Sequence, residues 1–109
     1  MPPQYAVYQN RNARTQQAFP FIVDVQVEFL HELQTRVVIP LIPRSRAEDV
    51  TRFPMSYLTP VVTFDAHSYV LMTPQLAGIA RAELGPHAGS LAHERRPIAT
   101  ALELLLQGL

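Results

Sequence analysis

The chain has no cysteine, no tryptophan and no lysine, and only four glycines among its 109 residues. Without cysteine there is no disulfide, no thiolate zinc site and no thiol nucleophile. With so few glycines, none of them clustered, a glycine-rich loop cradling a phosphate is excluded as well. No apolar run approaches the roughly 18 residues that a membrane span needs. The opening Met-Pro-Pro-Gln-Tyr lacks a basic segment followed by an apolar stretch, so no signal peptide is read and a cytoplasmic protein is expected. Net charge is also absent, since nine arginines balance nine carboxylates, and nothing drives non-specific attraction to a nucleic-acid backbone.

A length of 109 residues predicts a single domain over residues 1–109. A core this small leaves a thin margin of stability. The charged fraction is only 17%, below the usual quarter, so apolar surface is left seeking a partner and self-association is expected.

Tyr5 to Tyr8 reads as a first strand, and residues 9–20 as a loop or loose hairpin connection marked by Asn10, Asn12 and Pro20. Phe21 to Glu28 alternates. Phe21, Val23, Val25 and Val27 share one face, Asp24, Gln26 and Glu28 the other, and Ile22 on the polar face predicts contact with a second layer. Arg36 to Leu41 is apolar on both faces, as a central strand is, and Pro40 predicts that pairing stops or bulges there. Residues 42–58 read as an excursion. Val61 to Phe64 and Ser68 to Met72 are two strands joined at Asp65-Ala66-His67. Residues 73–90, broken by prolines and glycines, read as too irregular for a long element.

Leu91, Ile98, Leu102, Leu105 and Leu109 then fall on one face of a helix. Ser90 is a candidate cap, with Glu94 in the first turn where the helix dipole favours an acid. Pro97 would kink a helix begun at Ser90 and suits the first turn of one begun near Arg96. The longer, kinked helix is the reading adopted. Leu104, Leu105, Leu106 and Leu109 are too many for one face, so part of this segment must cover a second surface. The order of elements predicts an antiparallel sheet with a helix packed on it.

Chemistry is sparse. The histidines (His31, His67, His87, His93) have no metal-ligand spacing, so no metal is expected. Asp24 is the one carboxylate in a mostly apolar context. It reads as a weak general-acid candidate, or as a structural partner of the backbone or of Arg36, and the structural reading is preferred. Arg11 and Arg14 in the first loop, and Arg44 and Arg46 in the excursion, either receive an acidic peptide or guard the sheet edge.

The segments FIVDVQVE (21–28), TRVVIPL (35–41), TPVVTFDAHSYVLMTPQLA (59–77) and LELLLQGL (102–109), in this order and spacing, resemble the CcdB family of bacterial toxins that poison DNA gyrase. The match runs from about Tyr5 to Leu109. The resemblance implies an α+β, mainly β fold: a small barrel-like antiparallel sheet, related to that of MazF and Kid ribonuclease toxins, with a minor sheet and a C-terminal helix. It implies a cytoplasmic homodimer that needs no cofactor, catalyses nothing and binds the gyrase A subunit, trapping gyrase on cleaved DNA. The wider role implied is plasmid maintenance. The implied antitoxin is CcdA-like, with a disordered tail, and carries the toxin to operator DNA for transcription autoregulation, so the toxin meets DNA only indirectly.

Carried onto this chain, the gyrase contact corresponds to Glu103, Leu106, Gln107, Gly108 and Leu109, with Phe29 and Leu30 as a supporting apolar pair. The antitoxin contact corresponds to Asn10, Arg11, Asn12, Ala13 and Arg14, and to Arg44, Ser45, Arg46 and Ala47. One position departs from the pattern: well-studied members carry Trp where Gln107 stands. A cation–π contact of about 0.5–2 kcal/mol per site is thereby lost. The alternatives left are a MazF-like endoribonuclease, and a homologue that keeps its antitoxin but no longer poisons gyrase.

Overall fold

The computed structural model describes residues 3–30, 32–48 and 55–108. Seven antiparallel strands form one sheet: β1 (Ala6–Asn10), β2 (Phe21–Asp24), β3 (Thr35–Pro43), β4 (Val61–Phe64), β5 (His67–Leu71), β6 (Ala77–Ala80) and β7 (Leu84–Ser90). A one-turn helix α1 (Met55–Leu58) precedes β4, and α2 (Arg95–Gln107) closes the chain. The hydrogen-bonded order is β4-β5-β3-β2-β1-β7, with β6 added to β3. The mainly β architecture with a C-terminal helix is therefore present.

β3 is the central strand, as its apolar residues on both faces require. It pairs with β2 along one side, through Val38 to Leu41. The other side is shared, Thr35–Val38 pairing with β6 and Leu41–Pro43 with β5. Pro40 falls between these two partners. Its carbonyl accepts the Met72 N–H at 3.0 Å, so the N–H that proline lacks would have pointed into the gap between β5 and β6. Toward β2 the pairing continues through Ile22↔Pro40, and the predicted interruption holds on one side only.

The sheet is not closed into a barrel, and its strands branch at β3 instead of dividing into a main and a minor sheet. Side chains bridge the open seam. The Thr63 N–H of end strand β4 donates to the Glu94 carboxylate at 2.7 Å, and His93 Nε2 donates to the Thr63 carbonyl at 2.8 Å. An exposed strand edge is thus capped where a closing strand would have lain.

Alternation puts Val7, Val23, Val25, Ile39, Leu41, Val62, Phe64 and Leu71 on the inner face, under Leu91 and the α2 residues Ile98 and Ala101. Phe21 meets Phe64 and Tyr69 edge-on, with centroids 5.2 and 5.8 Å apart. The outer face carries Ala6, Tyr8, Ile22 and Val38, covered by Ile79 and Leu84. This is the second layer that Ile22 predicts. β6 lies beside β3 and β7 beside β1, so the connection through residues 81–83 must pass over β2, on this outer face.

Several expectations are corrected. β1 is displaced by about one residue at its start and runs on to Asn10. β2 ends at Asp24 because the Asp24 carboxylate accepts the Gln26 N–H at 3.0 Å and turns the chain, which leaves Val27 37% exposed. β3 extends to Pro43, so the excursion begins only at Arg44. Residues 73–90, read as too broken for a long element, hold two strands separated by a 3-10 turn, β6 of four residues and β7 of seven. β7 is an end strand paired only with β1 in a shifted register, which tolerates its Gly85-Pro86 and Gly89. The helix does not run from Ser90 with a kink. Ser90 Oγ accepts the Ala92 N–H at 3.0 Å and starts a 3-10 turn, Ala92–Glu94. α2 begins at Arg95, which places Pro97 in the first turn, where its missing N–H has no acceptor to lose.

Candidate functional site

Three groups of side chains stand out, beginning with Asp24 and Arg36. They sit on neighbouring strands with register Asp24↔Val38, two residues apart on one face, so the guanidinium reaches the carboxylate diagonally. Arg36 Nε donates to Asp24 Oδ2 at 2.8 Å and Nη2 to Oδ1 at 3.2 Å, with both side chains buried. With both oxygens committed to Arg36 and one also to Gln26 N, Asp24 is a structural ion pair, as preferred from the sequence.

The pair has a second consequence. Arg36 Nη1 donates to the Leu30 carbonyl at 3.2 Å, and Gln26 Nε2 donates to the same oxygen at 3.3 Å. Gln26 Oε1 in turn accepts the Val37 N–H at 3.1 Å. The 3-10 turn Glu28–Leu30, which carries Phe29 and Leu30, is therefore fixed to the sheet by part-buried hydrogen bonds that lean on the buried Asp24–Arg36 pair. Sequence reasoning did not assign Asp24, Gln26 and Arg36 this positioning role.

The second group is the first loop. Asn10, at the end of β1, donates from Nδ2 to Thr15 Oγ1 at 3.0 Å and to the Phe19 carbonyl at 2.8 Å. Its Oδ1 accepts the Asn12 N–H at 3.0 Å, and Asn12 Oδ1 accepts the Arg14 N–H at 2.9 Å. What the sequence suggested as a loose connection is a wired loop, held by asparagines that mimic backbone turns. Arg46 Nη1 donates to the Gln17 carbonyl at 2.6 Å, so the 3-10 turn Arg44–Arg46 abuts this loop. The two segments predicted for one partner thus form one surface. Asn12, Ala13, Arg14, Ser45 and Arg46 are exposed there, Arg44 and Ala47 half-buried. Arg11 extends over β7, where a Cβ at Gly85 would collide with the Gln9 carbonyl and come within 2.8 Å of Arg11 Cγ. Glycine at that position is what lets the Arg11 stem lie down.

The third group is the end of α2. Its buried residues, Ile98 and Ala101, lie in its first half. Beyond them Leu105 is 36% and Leu106 70% exposed, and Glu103 and Gln107 also face solvent. Gly108 terminates the helix in the left-handed region at φ 69°, its N–H shared between the Glu103 and Leu104 carbonyls at 3.2 and 3.1 Å. Leu109 lies outside the described residues. The predicted excess of leucine is real: the helix keeps its first half for the core and presents its last turn outward.

A family model described as CcdB protein matches residues 4–108. The chain belongs to the CcdB family. Members are toxins of toxin–antitoxin systems, so an antitoxin is the partner the family provides for. Among the described residues no group of three or more His, Asp or Glu could hold a metal ion, and no helix is long and apolar enough to cross a membrane. The described histidines, His67, His87 and His93, are all exposed. Two phenols are perturbed. Burial, and then the Asp24 charge, raises Tyr8 above the usual value of 10.0, partly opposed by Arg36 and Arg81. Burial and the Asp65 charge raise Tyr69.

Proposed function

We propose that this CcdB-family toxin acts as a cytoplasmic homodimer that binds the DNA gyrase A subunit and traps the cleaved-DNA complex, without catalysing a reaction. The contact runs through Glu103, Leu106, Gln107, Gly108 and Leu109, with Phe29 and Leu30 as a supporting apolar pair. A CcdA-like antitoxin with a disordered acidic tail engages residues 10–14 and 44–47 and releases the target. The observation that carries the reading is the end of α2: a 70% exposed leucine on the last turn of a helix anchored by its other half. An isolated leucine at the surface is ordinary, but the last turn here is leucine-rich and continuous with Leu105. The antitoxin contact is supported by the joined loops, where Arg14 and Arg44 carry no ion pair among the described residues.

Gln107 favours a second reading, a homologue that binds antitoxin and leaves gyrase alone. The amide accepts and donates hydrogen bonds but has no π face for a cation. Expression in a bacterial host separates the two. The first reading predicts growth arrest with induction of the DNA-damage response, lost on deletion of residues 107–109 while antitoxin capture persists. The second predicts normal growth with antitoxin capture intact, and messenger-RNA cleavage would instead mark a ribonuclease.

A further inference from the structure

A groove of about 530 Å3 opens on the outer face of the sheet, on the far side from the α2 contacts. Ile22, Val38, Pro40, Ile79 and Ala82 are among its apolar lining residues, and Arg11 of the first loop also lines it. Such a volume is that of a ligand site, and an apolar lining with a few polar groups is the usual composition of one. Within the groove the charges balance, Arg11 against Glu83, and any positive bias comes from exposed Arg14 outside the lining. Beyond the mouth the surface continues through the Arg46–Gln17 hydrogen bond to Arg44. That continuity suits an extended chain better than a compact small molecule. The loop is already ordered by Asn10 and Asn12, so little further ordering is required when a partner arrives.

We propose that this groove buries an aliphatic side chain of the antitoxin's acidic segment, while flanking carboxylates meet Arg11 and Arg14. The proposal builds on the antitoxin reading above and adds to it an apolar anchor on the outer face of the sheet, next to Arg11 of the first loop. Specificity then comes from two requirements together, an apolar anchor and adjacent acids.

The test is a methyl-NMR titration of the full chain with three peptides: Ac-Glu-Glu-Leu-Glu-Glu-NH2, its serine analogue, and Ac-Lys-Lys-Leu-Lys-Lys-NH2. The leucine–glutamate peptide should shift the Ile22, Val38 and Ile79 methyls saturably. The serine analogue should bind about ten-fold more weakly or worse, the loss expected when an aliphatic burial is removed. The lysine peptide should not bind. Ala82→Trp should plug the groove and abolish the shifts, and Ala77→Leu, also at an exposed lining position, serves if the first variant does not fold. Glu83→Gln should tighten the acidic peptide by about two-fold, the scale of one exposed charge. Equal binding of the leucine and serine peptides, or unchanged binding to both plugged variants, overturns the proposal.

Capture of the product of the adjacent upstream reading frame separates this from the broader reading. If wild type and Ala82→Trp capture it equally, the groove proposal falls and the antitoxin reading stands. If wild type captures none, the antitoxin reading falls and takes the proposed occupant with it.

Discussion

At the scale of single residues, the Asp24–Arg36 pair couples stability to the candidate gyrase contact. Both charges are buried, and a charge left without its partner in the interior costs about 3–5 kcal/mol. Asp24→Ala should therefore lower the unfolding free energy in urea by that order. It should also disturb the turn Glu28–Leu30, because Arg36 would no longer be oriented on the Leu30 carbonyl. A loss of stability in urea much below 1 kcal/mol would mean that the pair is replaceable by water. The sequence made this pair readable, since a lone acid on an apolar strand needs a partner and Arg36 lies on the next strand. It did not make the turn's attachment readable, because the Leu30 carbonyl is a backbone group with no signature of its own.

Tyr8 provides a pH dependence with a definite sign. Its phenol is raised in the folded protein, chiefly by burial, so the neutral form is favoured on folding. The resulting stability is fully present below the unfolded value near 10 and is lost as pH rises through the higher folded value. Thermal melts should fall in midpoint above about pH 10, and Tyr8→Phe should flatten part of that fall. Tyr69 contributes in the same direction, so some slope should persist in the variant.

Among the elements, the β4–β5 hairpin shows a conflict between sequence and backbone. Phe64 pairs with His67, which leaves a two-residue turn, and both Asp65 and Ala66 have positive φ, 51° and 63°. That is the signature of a type I′ turn, where glycine is preferred at the second position. Ala66→Gly should stabilise the fold by up to about 1 kcal/mol, read as a shifted urea midpoint with an unchanged slope. An unchanged or lower midpoint would show that the turn carries no strain. The same hairpin was legible in advance because two short runs rich in β-branched and aromatic residues flank a polar turn, although His67, read as part of that turn, pairs with Phe64 in β5. β6 and β7 were not. Their residues are small or turn-forming, and they are strands because of where they lie, on β3's free side and at the sheet's end. The start of α2 was ambiguous for a similar reason: Pro97 fits two helices, and Ser90 caps a 3-10 turn that a helical period does not reveal.

At the scale of the whole molecule, a packed sheet carries an outward-facing helix end. The sheet's opening could not be read from the sequence, because closure depends on pairings between β4 and β7, far apart in the chain. The seam is instead spanned by His93 and Glu94 on the turn before α2. This fastening fixes where α2 begins, so the direction of its last turn is set by the body. Likewise, each arginine cluster was visible as composition, but their union through Arg46 and Gln17 required the fold.

The most direct test of the central claim is a DNA-cleavage assay with purified gyrase, comparing the chain with Leu106→Glu. Position 106 is 70% exposed, so the variant should fold as wild type does. The account predicts that the wild-type chain accumulates gyrase-linked cleaved DNA and that Leu106→Glu requires at least about ten-fold more protein for the same effect, as expected when an apolar contact is replaced by a charge. Equal trapping by both proteins, or no trapping by the wild type, would contradict it.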